Sequence, residues 1–161
     1  MKKRSILSVF LSVLIIVVSL FGTTASADVV YTGTDSYTFE TFEDLKELAS
    51  TLDLNDHIYF AGPKDSTEVP YYYHACDAFV SASISETQGL TYIEAMAASL
   101  PVLARFDKNL EGIINDGSNG YFFNSQEELS DCVLKLMNLD LQEMKERAYK
   151  DSRQYGSEKF A

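Results

Sequence analysis

Glu86 and Glu94 stand eight residues apart in the run Ser85-Glu86-Thr87-Gln88-Gly89-Leu90-Thr91-Tyr92-Ile93-Glu94-Ala95-Met96-Ala97. At that spacing they bracket a glycine-containing turn and the opening of an amphipathic helix. Eight helical residues rise about 12 Å, enough to set one carboxylate at each end of an extended ligand. The helix start between them offers free N–H groups and the positive end of the helix dipole, a setting that suits phosphate. A ligand with hydroxyls at both ends and phosphates in the middle is a nucleotide sugar. Taken singly, the same residues have plainer uses. Glu86 can cap a helix N-terminus, Glu94 can be a solvated helix residue, and Gln88 and Thr91 can be ordinary loop or first-turn side chains.

Such a site needs a strand to deliver the turn and a helix to carry Glu94, and the flanking sequence supplies both. Ala78-Phe79-Val80-Ser81-Ala82-Ser83 reads as a strand, within a segment covering 77–83, and residues 90–100 read as the helix. Upstream, apolar positions at helical spacing predict a helix over 44–52. A short apolar strand at 57–61 is stopped by Gly62-Pro63, and 67–75 form a short helix. Downstream, the pattern predicts a strand at 101–105 with Pro101 at its first position, where a missing donor is tolerated. It then predicts a short helix at 110–115, a strand at 121–123, and helices over 126–138 and 141–154. Strands alternating with helices and few hairpin signals predict βαβ units on a parallel sheet. The tyrosines at 71–73 read as helix packing rather than a stacking platform.

Length and charge bound the possibilities. At 161 residues there is room for one domain, and 24 acidic against 13 basic side chains give a formal charge of −11. That balance argues against nucleic acid as a partner and against an electrostatic grip on anionic lipid. The N-terminus has its own character. Lys2-Lys3-Arg4 is followed by an apolar run from Ile6 to Phe21 and then by Ala25-Ser26-Ala27. This is the three-part layout of a secretory signal, with cleavage expected after Ala27 and retention as a membrane anchor the alternative. Residues 28–40 read as extended or irregular. Cys76 and Cys132 sit in patterns of buried helix faces, and two cysteines do not make a disulfide framework. His57 and His74 lack a second ligand cluster, so no metal is expected and both histidines read as structural.

Four ordered blocks carry a resemblance: Phe60-Ala61-Gly62-Pro63, Tyr71 through Ser83, Glu86 through Met96, and Leu100-Pro101-Val102-Leu103-Ala104. Together they resemble glycosyltransferase family 4, the retaining GT-B class, in its C-terminal nucleotide-sugar-binding domain. Ser85-Glu86-Thr87-Gln88-Gly89-Leu90-Thr91 most resembles the branch that glucosylates diacylglycerol or related acceptors. The resemblance implies an α/β fold, an incomplete Rossmann-like parallel sheet with flanking helices, over 41–161 and behind the signal-peptide helix of 1–27. It implies that Glu86 is the catalytic-face carboxylate beside the donor sugar. It also implies that the backbone of Thr87, Gln88, Gly89 and Leu90 approaches sugar and diphosphate, and that Thr91 adds a hydroxyl to a phosphate oxygen. Glu94 would accept from the two ribose hydroxyls, and the backbone near Gly62 would flank the base. The implied reaction moves a hexose from a UDP-glucose-like donor to a lipid or glycan acceptor, with no metal or other cofactor.

The chain also departs from that pattern. The family's domain normally begins with a strand, a helix and a second strand, and that part brings an arginine and a lysine to the donor diphosphate. No basic pair sits in a corresponding place here, and no N-terminal acceptor domain is recognisable. In the doubly wound order 3-2-1-4-5-6, losing the first two strands leaves two vacant places between the strand at 57–61 and the one at 77–83. Each buried unsatisfied backbone group costs about 1–3 kcal/mol, against a typical total stability of about 5–15 kcal/mol. The sheet is therefore expected to close the gap, borrow strands from 28–40, or remain partly unfolded, with nucleotide sugar bound weakly or not at all. The leader predicts a secreted or membrane-anchored protein, whereas the resemblance predicts the cytoplasm or inner membrane face. A secreted non-catalytic module, or a hybrid or pseudogene product, is the alternative reading.

Overall fold

The computed structural model describes residues 16–19, 28–31, 42–61, 64–83 and 89–156. Among them, β1 (Ile16–Ser19), β2 (Asp28–Tyr31), β3 (Ile58–Phe60), β4 (Ala78–Ser81), β5 (Val102–Arg105) and β6 (Gly120–Phe123) pair into one sheet. The strand order is β3-β2-β1-β4-β5-β6. β4, β5 and β6 run parallel, in the register Phe79 to Val102 and Val102 to Gly120, and β2 runs parallel to β3. The helices are α1 (Phe42–Thr51), α2 (Val69–His74), α3 (Leu90–Ala97), α4 (Gln126–Met137) and α5 (Gln142–Ser152). None of these helices is long and apolar enough to cross a membrane.

The two places expected to stand vacant are filled. β2 and β1 lie between β3 and β4, and β1 is antiparallel to both of its neighbours. β2 comes from the 28–40 segment. β1 comes from the apolar run read as a leader helix, and there the expectation needs correction: residues 16–19 are a strand. Ile16-Val17-Val18 are β-branched, a residue type stiff at χ1 and favourable to extended backbone. A gap with open ladder groups on both sides gives such a run pairing that a solitary helix lacks.

Period-two alternation in β4 and β5 divides the core between the two faces of the sheet. Phe79, Val102 and Ala104 face one way and pack with Tyr73, Tyr92, Met96 and Ala148. Ala78, Val80 and Leu103 face the other way, with Phe123, Cys132, Leu136 and Met144. Cys132 is thus a core residue, Cys76 is half-buried, and both thiols are free. β5 and β6 approach so closely at Gly120 that an added Cβ would stand 2.1 Å from the Val102 carbonyl oxygen. Only glycine fits there.

The segment 110–115 differs from its expected helix. A 3-10 turn at Lys108–Leu110 gives way to an isolated bridge between Glu111 and Ile114, with Gly112 at φ +86°. Asp107 explains the early stop, since its carboxylate accepts from the Asn109 N–H at 2.8 Å and holds the chain in a turn. Fully buried Asn119 then ties the segment down. Its amide donates to the Ile113 carbonyl at 3.1 Å and to Asp151 Oδ2 at 2.9 Å, and its own oxygen accepts from the Asn115 N–H at 2.8 Å. This tie matters to the site because Leu110 and Ile113 form the floor on which α3 begins.

Candidate functional site

α3 leaves Gly89, the last residue before the helix, in the left-handed region at φ +63°. A side chain there would be strained, and its Cβ would lie 2.9 Å from Ile113 Cδ1 and 3.1 Å from Leu110 Cδ2. Glycine is therefore required by the turn and its packing, apart from any ligand. Among the described residues no side chain caps the helix, and no acidic residue occupies its first turn. The opening N–H groups have no intrahelical acceptor, as at any helix start, and no described side chain compensates the positive dipole end. Thr91 is half-buried in that first turn, while Leu90 projects outward, 59% exposed.

The axis of α3 is fixed by aromatic packing beneath it. The Tyr92 hydroxyl donates to Ser81 Oγ at 2.9 Å inside the core, tying the first turn of α3 to the end of β4. The Phe79 ring stacks edge-on with Tyr92 at 5.5 Å and with Tyr73 at 6.0 Å, joining α3 and α2 through one strand residue. On the other side α3 packs against α5, where Lys145 Nζ donates to Asp77 Oδ1 at 2.9 Å.

Between α2 and α3 lies a cavity of about 360 Å³, lined by Ser66, Val69, Pro70, Tyr73, His74, Glu94, Ala97 and Ala98. That volume is in the range of small-molecule sites, and the lining has their usual make-up of apolar walls with a few polar groups. Two alanines one turn beyond Glu94 leave room opposite the Val69–Pro70 wall. Glu94 is exposed as a residue, yet burial by its surroundings raises its carboxyl pKa above the ordinary value of 4.5. Desolvation first, then the charge of Glu94, pushes the Tyr73 phenol up, so it stays protonated in neutral solution. Nearby, burial and then the Asp77 charge push the Cys76 thiol up to about 12, which leaves it a neutral, poor nucleophile.

Of the residues singled out from the sequence, Gly89, Leu90, Thr91 and Glu94 share one short helix. Glu94 faces the cavity and Gly89 to Thr91 form the helix start. Gly62, Glu86, Thr87 and Gln88 lie outside the described residues. Sequence reasoning missed the wall contributed by α2. Tyr73 and His74 had been read as packing and structural residues, and they line the cavity with Val69 and Pro70. The available signal was Pro70 near the helix start followed by a tyrosine run with one buried face.

Comparison with known proteins falls on the same region. The family model described as glycosyl transferases group 1 matches residues 29–155. An alpha-monoglucosyldiacylglycerol synthase of Acholeplasma laidlawii is 45% identical over 85 residues, covering 53% of this chain and 21% of that protein. The chain thus spans about a fifth of the length of that curated relative. Among solved structures, the C-terminal domain of a group 1 glycosyl transferase family protein (LpcC) from Francisella tularensis superposes with a TM-score of 0.63 at 29% identity. That match covers 70% of this chain and 60% of that one. The pneumococcal O-GlcNAc transferase GtfA, solved in complex with UDP and GlcNAc, gives a TM-score of 0.67 at 21% identity. It covers 81% of this chain and 26% of that one, and it shows likeness of fold.

Proposed function

The chain belongs to the group 1 glycosyl transferases, and from that membership we propose that it is the nucleotide-sugar-binding part of a retaining hexosyltransferase. The observation that carries the reading is the cavity between α2 and α3, with Glu94 on its wall and, on the same element, a helix start that no described side chain caps. The base and ribose occupy the cavity. Glu94, ionised, accepts from the two ribose hydroxyls, since a carboxylate is an acceptor only. The diphosphate lies along the backbone of Gly89, Leu90 and Thr91, where N–H groups and the helix dipole meet its charge. Glu86, Thr87 and Gln88 take the donor sugar, and the backbone near Gly62 flanks the base.

In this reading the bond from the anomeric carbon to the diphosphate oxygen breaks as the acceptor oxygen bonds to the same face of the sugar, and the acceptor's hydroxyl proton passes to the departing diphosphate oxygen. The departing diphosphate is stabilised at the start of α3 rather than by a metal. Among the described residues no lysine or arginine lines the cavity, so binding to this chain is weak and draws most of its energy from base and ribose. A UDP-glucose donor and a diacylglycerol-type acceptor at the inner membrane face are favoured by the likeness to the Acholeplasma synthase. The UDP held by GtfA, though a likeness of fold alone, fits the same choice of nucleotide. A thermal-shift titration of the full chain with UDP-glucose, repeated on Glu94→Ala, tests the proposal. Stabilisation of the parent that the variant loses supports it, whereas equal response or no response up to millimolar donor would refute it.

A further inference from the structure

Tyr73 is 3% exposed, and its hydroxyl has no hydrogen-bond partner among the described residues. A buried hydroxyl without a partner is costly, and such groups in a native fold call for an explanation. Packing does not provide one. Phenylalanine would make the same edge-on contact with Phe79, at 6.0 Å and 72°, without a polar atom to bury. The phenol lines the same cavity as Glu94, and the Glu94 charge is felt at its oxygen. Glu94, an exposed residue whose carboxylate is an acceptor only, lines that cavity from α3. A buried donor without a partner and an exposed carboxylate therefore belong to residues that line one cavity.

We infer that Tyr73 is a positioning residue for Glu94. When the ribose diol of a nucleotide engages the outer carboxylate oxygen, the inner oxygen turns to accept from the Tyr73 hydroxyl. A hydrogen bond to an ionised acceptor is shorter and stronger than a neutral one, and it fixes the rotamer that presents the outer oxygen. In the free protein the hydroxyl is held ready but unused, a small strain released on binding. The inference rests on the proposed role of Glu94 at the ribose, and it goes further by making the preference for ribose depend on a residue of α2.

The test compares UDP with 2′-deoxy-UDP on the full chain, by calorimetry or NMR titration, for the parent, Tyr73→Phe and Glu94→Gln. The parent is expected to prefer UDP. Tyr73→Phe is expected to lose about 10- to 150-fold in UDP affinity, the scale of one hydrogen bond to a charged group, while 2′-deoxy-UDP binding barely changes. Its ribose preference then approaches that of Glu94→Gln, and its thermal midpoint equals or exceeds the parent's. A parent preference that Glu94→Gln removes and Tyr73→Phe retains would overturn the inference and leave the Glu94 reading standing. Equal weakening of both ligands in Tyr73→Phe would also overturn it, as a packing effect. A parent with no ribose preference would overturn the inference and the Glu94 reading together.

Discussion

Single residues at the start of α3 serve both the fold and the proposed chemistry, and their substitutions separate the two. Gly89 combines φ +63° with a Cβ position blocked by Ile113 and Leu110. Left-handed strain of about 1–2 kcal/mol and overpacking of about 1–3 kcal/mol add up, so Gly89→Ala should lower unfolding free energy by roughly 2–5 kcal/mol in urea titrations. A value below about 0.5 kcal/mol, within the scatter of neutral surface changes, would contradict the packing described. Glu94 behaves in the opposite way. Burial raises its folded-state pKa, so its contribution to stability is full below the ordinary value of 4.5 and is lost as pH rises through the raised value. Binding a diol needs the charged form, so affinity for UDP should rise over the same window in which stability falls. Glu94→Gln should then melt at a higher temperature than the parent at neutral pH and bind UDP weakly at every pH. Tyr73 and His74 face the same cavity, and both are unchanged in that comparison. The placement of Gly89 before α3 and of Glu94 on it was legible in the sequence because both stand in one local run. The packing reason for Gly89 was not, because Leu110 and Ile113 arrive from a turn twenty residues away.

At the scale of elements, the strand and helix pattern from residue 42 onward was legible, apart from the helix expected at 110–115, because the elements announce themselves locally. α4 begins at Ser125, whose hydroxyl accepts from the Glu128 N–H at 3.2 Å, and Glu128 reaches back to the Asn124 N–H at 2.7 Å. β1 was not legible. A short β-branched run inside a longer apolar stretch behind three basic residues has the same composition as the middle of a secretory signal. What makes it a strand is an empty place in the sheet, and that is a tertiary fact. In the register of β1, Val17 lies opposite both Val30 and Phe79, in the middle of the six strands. Val17→Pro removes a ladder donor there and should cost about 2–4 kcal/mol by chemical denaturation of the full chain. An unchanged midpoint would mean that β2 and β4 do not depend on β1.

For the whole molecule, the central question is whether the sheet completed by β1 and β2, with the helices that flank it, holds a nucleotide. The fold class was readable from alternation of strands and helices. The cavity was not, because it exists only where α2 leans on α3 across Phe79, and no local spacing encodes that contact. The charge layout gives a further expectation. With no lysine or arginine among the described residues of the cavity wall, the phosphates gain little beyond the helix dipole, worth about 0.3–1 kcal/mol. UDP should therefore bind only about 2- to 5-fold more tightly than uridine, and a preference of a hundredfold would point to cations elsewhere in the site. The most direct measurement is amide chemical-shift mapping of the isotope-labelled full chain during titration with UDP-glucose. The account predicts saturable shifts concentrated at Tyr73, His74, Gly89, Leu90, Thr91 and Glu94. Saturable shifts confined to other surfaces, or none at millimolar donor, would contradict it.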